Sequence, residues 1–249
     1  MASSVLIPKG DPVTKPVPAL PPSPTKHITN TLSTTHSSAT SISLVPLDVS
    51  HAPDLLVNVG GLQNDHLYTY MPDGPFHTLD EMEKHITLLL GFPGWFSYAI
   101  FSSSPAHLSN SSSKVVEGAA GTATAIGIIC LLNMRPAHLS VEIGHVLFCK
   151  TLQRTSESTM INYLLMRLVF EECGYERVEW KCNTHNAPSK RAAERLGFKA
   201  EGVFRRHMVL KGVWRDTVSS FSSCSFFAGL WGVGMKLRDG WSLTNRLLL

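Results

Sequence analysis

A chain of 249 residues has room for one domain with tails, or two small ones, and its core is long enough to bury most of its apolar surface without staples. A net charge of +3, spread without pattern, excludes the dense basic face of a nucleic-acid-binding protein. The five cysteines (Cys130, Cys149, Cys173, Cys182, Cys224) form no C-x-x-C pair, and the 11 histidines form no H-x-x-x-H or H-E-x-x-H, so the spacing predicts reduced thiols, a cytoplasmic setting and no metal.

Residues 1–40 are rich in Pro, Ser and Thr and are expected to form a disordered linker. No basic stretch followed by an apolar run opens the chain. The longest apolar run, Phe226 to Met235, is too short to cross a bilayer, so no membrane partner is expected. Ile42 to Leu47 alternates like a first strand, and Asp48 to Leu56 begins a first helix with Asp48 or Ser50 as its cap. Tyr68 to Pro75 is a turn-rich aromatic loop. Thr78-Leu79-Asp80-Glu81 has the form of a capping box. Met82, Ile86, Leu89 and Leu90 share a face, which predicts a second helix to Leu90. Trp95 to Phe101 is expected to be a strand. It is followed by a Ser/Gly/Ala-rich insertion, Ser102 to Thr124, in which Asn110-Ser111-Ser112 is a glycosylation pattern with no secretory route to use it. Ala125 to Leu132 predicts an apolar strand before a turn at Arg135-Pro136.

From Leu139 the elements alternate in type. Leu139, Val141 and Ile143 alternate with Ser140, Glu142 and Gly144, the period of a half-buried strand reaching Phe148. After a polar loop, Ile161, Leu164, Leu165, Leu168 and Val169 fall on one face of a helix that stops at Gly174. Val178, Trp180 and Cys182 mark a second strand. Asn186 is placed to cap a last helix, with Pro188 in its first turn and Gly197 just past its end. A strand–helix–strand unit of this length implies parallel strands joined by a right-handed crossover, hence an α/β fold. The basic run Lys199 to His207 predicts a solvated strand face, and Lys211 to Thr217 a hairpin.

Five short runs in this order carry a family resemblance. They are Glu142-Ile143-Gly144-His145, Leu152-Gln153-Arg154-Thr155, Glu179-Trp180-Lys181-Cys182, Asn186-Ala187-Pro188-Ser189 and Ala193-Glu194-Arg195-Leu196-Gly197-Phe198. Together they resemble the GNAT superfamily of acyl-CoA-dependent N-acyltransferases, in the branch of ribosomal-protein N-terminal acetyltransferases. The resemblance spans residues 41–218 and implies a mixed, twisted sheet with helices on both faces. It implies acetyl-CoA as co-substrate and, as acceptor, a primary amine on a small molecule or a protein N-terminus.

The site residues follow from the same resemblance. Gln153, Arg154, Thr155 and Ser156 would hold the CoA pyrophosphate at a helix entry, where free N–H groups and the helix dipole favour an anion. The glycines many relatives carry there are absent, and ordinary helix capping uses the same residues. Glu142 is the candidate general base, with His145 sharing the task or packing beside it. The backbone from Gly144 to Val146 would polarise the thioester carbonyl at a bulge. Asn186 and Ser189 would reach the cofactor, although Asn186 also serves as a helix cap. Tyr68 and Tyr70 would line the acceptor pocket or pack under their loop. The tyrosine that reprotonates the thiolate in many relatives is missing; Ala192, Ala193 and Glu194 stand there instead. After Val218 the chain departs from the family, so residues 219–249 are an atypical tail; the sheet is expected to end on a bare edge, unless Val218 to Phe227 pairs as a makeshift strand. These departures support a competing expectation, a catalytically impaired acyl-CoA-binding or interaction protein of the same fold.

Overall fold

A computed structural model describes residues 28–32, 40–104, 114–115 and 122–231. Among these residues one sheet collects nine strands: β1 (Ile28–Leu32), β2 (Thr40–Pro46), β3 (Phe96–Ser102), β4 (Lys114–Val115), β5 (Thr122–Arg135), β6 (Ser140–Phe148), β7 (Arg177–Asn183), β8 (Lys199–Leu210) and β9 (Val213–Ser223). Their order is β1-β2-β3-β5-β6-β7-β9-β8, with β4 paired to β5. Every pairing is antiparallel except β6 with β7. That parallel pair needs a long crossover, and the helix expected between the two strands supplies it.

Five α-helices pack with the sheet: α1 (Ala52–Val59), α2 (Leu79–Gly91), α3 (Ser156–Arg167), α4 (Ala187–Arg195) and α5 (Cys224–Trp231). Successive strand residues point to opposite faces, yet Ala123 to Leu132 of β5 are buried without a break. The sheet is therefore covered on both faces, as a central strand of an α/β fold requires. Helix starts follow local chemistry. Thr78 accepts from the Glu81 N–H while Glu81 reaches back to the Thr78 N–H, completing the expected capping box. Asp48 caps a 3-10 turn, Val49–His51, that leads into α1. Beyond Arg167, α3 widens into a π turn, Leu168–Glu172, before the chain leaves at Gly174 with φ +77°. Among the described residues no helix is long and apolar enough to cross a membrane.

Two boundaries differ from expectation. Ile28–Leu32 lies inside the segment expected to be linker, but pairs in register along β2 from Ile28↔Leu44 to Leu32↔Thr40. The β-branched Ile28, Thr29 and Thr31 suit a strand better than composition alone suggested. The sheet also does not end bare at Val218. β9 pairs with all of β7, from Asn183↔Thr217 to Arg177↔Ser223, because ladder hydrogen bonds come from the backbone and tolerate a Ser-rich strand. Phe227 of α5 is then buried between Tyr163 and Phe170, at centroid distances of 5.6 and 5.1 Å. The basic face of β8 is exposed from Lys199 to His207 as expected. Residues 1–27, most of the 102–124 insertion with Asn110, and residues 232–249 lie outside the described residues.

Candidate active site

β6 and β7 stay paired for three positions only, Ser140↔Arg177 to Glu142↔Glu179. Beyond Glu142, β6 continues to Phe148 and β7 to Asn183 without pairing, so the sheet opens between them. A bulge adds to the parting: Cys130 faces Gly144 and Ile128 faces Leu147, leaving His145 and Val146 opposite Ile129 alone. His145 sits at φ +47°, in the left-handed region. Such a bulge bends the strand and re-aims its side chains. The opening holds a cavity of about 630 Å³.

Glu142, His145, Val146, Asn186, Ser189 and Tyr70 all line this cavity. They arrive from β6, from the entry of α4 and from the loop after residues 62–68. Asn186 accepts the Ser189 N–H through Oδ1 at 3.1 Å, so it caps α4 while facing the cavity. Ser189 Oγ accepts the Trp180 indole N–H at 2.9 Å, which fixes the wall on the β7 side. The Tyr70 hydroxyl donates to the His185 carbonyl at 3.0 Å and bridges the opening from one wall to the other.

The remaining expected residues are not brought to the cavity. Tyr68 is in the core, 1% exposed, its ring edge-on to Phe76 at 5.4 Å. Burial explains why it cannot line an acceptor pocket. Gln153, Arg154, Thr155 and Ser156 lie at the entry of α3, beyond the end of β6. There Gln153 Nε2 donates to the Phe148 carbonyl at 3.1 Å, and Thr155 Oγ accepts from the Ser158 N–H at 3.1 Å. Arg154 takes φ +64°, the conformation a glycine would adopt at no steric cost.

Glu142 is buried, and its Oε2 accepts from both Lys181 Nζ at 2.7 Å and Asn133 Nδ2 at 2.9 Å. Burial opposes the Lys181 charge, but the Glu142 and Glu179 carboxylates outweigh it and hold its pKa above the usual value. Glu179 is likewise opposed by burial, and Lys181 and Arg177 bring it below the usual range. The partners of Glu142 were not singled out in the sequence, because Asn133 lies on a second bulge and Lys181 on the neighbouring strand.

A second cluster joins a loop, a helix and a strand. Asp73 Oδ2 lies 3.1 Å from His85 Nδ1, and His85 Nε2 lies 3.3 Å from His145 Nε2. One potential ligand atom from each residue falls within 4.8 Å of the others, a grouping that the sequence spacing did not reveal. His85 is 3% exposed and stacks on Phe76 at 4.3 Å. Burial pushes the His145 pKa down to about 4, against the pull of the Asp73 carboxylate. Burial also works against the Asp73 charge, but His85 and His145 together hold its pKa below the usual value. The signal for His85 was present: it falls beside Met82, Ile86 and Leu89 on the apolar stripe of α2, where a lone polar ring needs a partner.

A mixed sheet parted between two parallel strands, with a polar wall at the parting and a helix entry beyond it, is the arrangement that the resemblance to acyl-CoA-dependent acyltransferases implies. Residues 41–199 match the family model of the acetyltransferase (GNAT) domain, and the chain belongs to this family. It is similar to the crystal structure of a GCN5-related N-acetyltransferase from Brucella melitensis. That match has 27% identity and a TM-score of 0.65, over 81% of this chain and 85% of that one. A GNAT-family acetyltransferase structure from Chromobacterium violaceum is similar at 26% identity and a TM-score of 0.68, over 91% of this chain and 99% of that one. A spermidine N-acetyltransferase from Vibrio cholerae, in complex with CoA and spermine, shares the fold at 14% identity and a TM-score of 0.54, over 75% and 97%. None of the curated proteins matches the chain. The protein is an acetyltransferase of this family, whose members act on amine acceptors.

Proposed function

We propose that the chain transfers the acetyl group of acetyl-CoA to a primary amine by direct attack on the thioester, with no covalent enzyme intermediate. The observation that carries this reading is the parting of β6 from β7, with Glu142, His145 and the His145–Val146 bulge on one wall and Asn186 and Ser189 on the other. Backbone N–H groups freed by a bulge can polarise a carbonyl as charge develops on its oxygen. Asn186 and Ser189 would hold the cofactor arm, and the entry of α3 from Gln153 to Ser156 its pyrophosphate. Glu142 and His145 are the two groups at the parting able to receive the proton of the attacking nitrogen.

Direct attack is supported by the thiols. Cys182 lines the cavity, but burial raises its pKa, and Cys130 is pushed up to about 12 by burial. Neither offers the thiolate that nucleophilic catalysis needs. The acceptor would approach past Tyr70, Leu88, Phe92 and Trp95, an apolar path that suits the alkyl body of a small amine or the N-terminus of a protein, as in the ribosomal-protein branch. Five free cysteines accord with a cytoplasmic setting.

The test is calorimetric titration of the full chain with acetyl-CoA, followed by thiol-release assays over a panel of polyamines, amino acids and N-terminal peptides. The reading requires binding that weakens in Asn186→Ala, and thiol release that depends on the amine. Binding with no amine-dependent release would favour the competing acyl-CoA-binding protein, which the missing loop glycines support.

A further inference from the structure

We propose that the Arg215 guanidinium binds a carboxylate on the acceptor, so that the amine acetylated here also carries an acid group, as an amino acid does. The inference deepens the acetyl-transfer reading and rests on it for the acceptor's role; the anion site itself rests on the cavity alone.

Arg215 stands on β9 opposite Met208 of β8, and both line the cavity. Between Phe204↔Thr217 and Met208↔Arg215 the ladder advances four residues on β8 and two on β9. The surplus forms a bulge in which Arg206 takes φ +46°, and a bulge re-aims the side chains beside it. His207, with Nδ1 at 3.1 Å from Thr217 Oγ1, joins Met208 and Arg215 on the cavity wall. Nothing in this wall meets the guanidinium charge. Nη1 donates to Met208 Sδ at 3.7 Å, a weak acceptor, and Nε is buried with no hydrogen-bond partner. None of the ion pairs among the described residues includes Arg215. The acid next to it in sequence is turned away, because successive strand residues face opposite sides. Asp216 Oδ1 accepts the Arg206 N–H at 2.7 Å, and its Oδ2 accepts from Arg205 Nη1 at 2.9 Å. Burial holds the Arg215 pKa below the usual guanidinium value, and the opposing pull of Cys182 and Glu142 does not offset it.

An uncompensated cation beside a cavity is the counterpart of an anion that enters it. The rest of the lining agrees. Three cationic side chains (Arg135, Lys181 and Arg215) face two carboxylates (Asp73 and Glu142), and Lys181 Nζ is already joined to Glu142 Oε2 at 2.7 Å. That balance opposes a polyamine and suits a carboxylate, whose two oxygens match the guanidinium fork. The cofactor phosphates are the other anions of the reaction. Gln153 to Ser156, the residues expected to hold them, lie outside this cavity, whereas Arg215 lines it. With the carboxylate on the β9 wall, the amine is free to reach the parting where Glu142 and His145 stand. Leu88, Phe92 and Trp95 offer apolar surface to the acceptor's carbon skeleton.

The test compares amino acids with their primary amides and with spermidine in thiol-release assays on the full chain. Calorimetry of the CoA-saturated chain with the N-acetyl amino acids reads the carboxylate site without turnover. The acids are expected to show a higher kcat/KM than the amides or spermidine. Arg215→Gln should cut the acid-over-amide ratio about 10–10²-fold, through KM, with the Kd for acetyl-CoA unmoved. Arg215→Lys, which keeps the charge and loses the fork, should restore part of that ratio. The N-acetyl amino acids should bind the wild type and not Arg215→Gln. Amides or spermidine turning over as well as the acids overturn the proposal, and so does an acid-over-amide ratio that survives Arg215→Gln. Loss of acetyl-CoA affinity in that variant, with the ratio intact, assigns the guanidinium to a cofactor phosphate instead. If no amine releases thiol but the N-acetyl amino acids bind through Arg215, the carboxylate site stands and the transfer reading falls. With neither turnover nor binding, both fall.

Discussion

His145 lines the opening, and its environment makes a prediction about stability. Burial depresses its pKa from 6.5 to about 4, so the unfolded chain binds a proton that the folded chain refuses between those values. Stability from this group is complete above about pH 6.5 and is lost as pH falls toward about 4. Asp73 and Glu179, whose folded pKa values are depressed, lose their contributions at still lower pH, below the ordinary carboxylate range of about 4. Denaturant titrations of the full chain from neutral to acid pH should therefore show two stages of weakening, and His145→Asn should remove the first. Residues of this kind were only partly legible. Glu142, His145 and Asn186 stood inside runs with a recognisable order. Asp73 and His85 are separated from His145 by 72 and 60 positions, and only folding brings them together.

At the scale of elements, local chemistry was the most readable part. Thr78, Asp48 and Asn186 cap the turns and helices they precede, since each carries an acceptor oxygen placed for the first free N–H groups. The alternation at Val178–Cys182 became a strand with one face buried, whereas Ser140–Ile143 is buried on both faces of the sheet. The second half of β9 is open in the sequence between a bare edge and a makeshift strand, because Ser219, Ser220 and Ser222 carry no hydrophobic signal, yet all are buried. The bulges at Asn133 and His145 have no pattern of their own; they arise where two registers on either side must be reconciled. The loop from Tyr68 to Gly74 can be probed through its turn. Gly74→Ala places a methyl at φ +69° against the Tyr68 ring and is expected to cost about 1–3 kcal/mol by thermal unfolding. Because that turn carries Asp73, the same variant should also disturb the His145 imidazole signals. A variant equal to the wild type in both readings would count against the tight turn.

Over the whole molecule, the fold class was legible from the order of elements, and the acetyltransferase family from the order of the motifs. The acceptor was not, because the aromatic and apolar side chains that would meet it come from α2, the loop before it and β3's approach, with no shared motif. The parting of β6 from β7 has a thermodynamic side as well. Three register pairs join a block of β1, β2, β3, β5 and β6 to a block of β7, β9 and β8. A ligand lodged in that seam binds the folded chain and not the unfolded one, so mass action adds about 2.7 kcal/mol at a hundredfold excess over Kd. For a chain of this size that is a rise in Tm of about 5–10 °C, measurable by scanning calorimetry with acetyl-CoA. An unchanged Tm at saturating acetyl-CoA would place the ligand elsewhere or nowhere. With the seam open, the two blocks separate more readily and proteases meet the unfolded chain more often. The cellular lifetime of the protein would then follow the supply of acetyl-CoA, with abundance falling when the metabolite runs short.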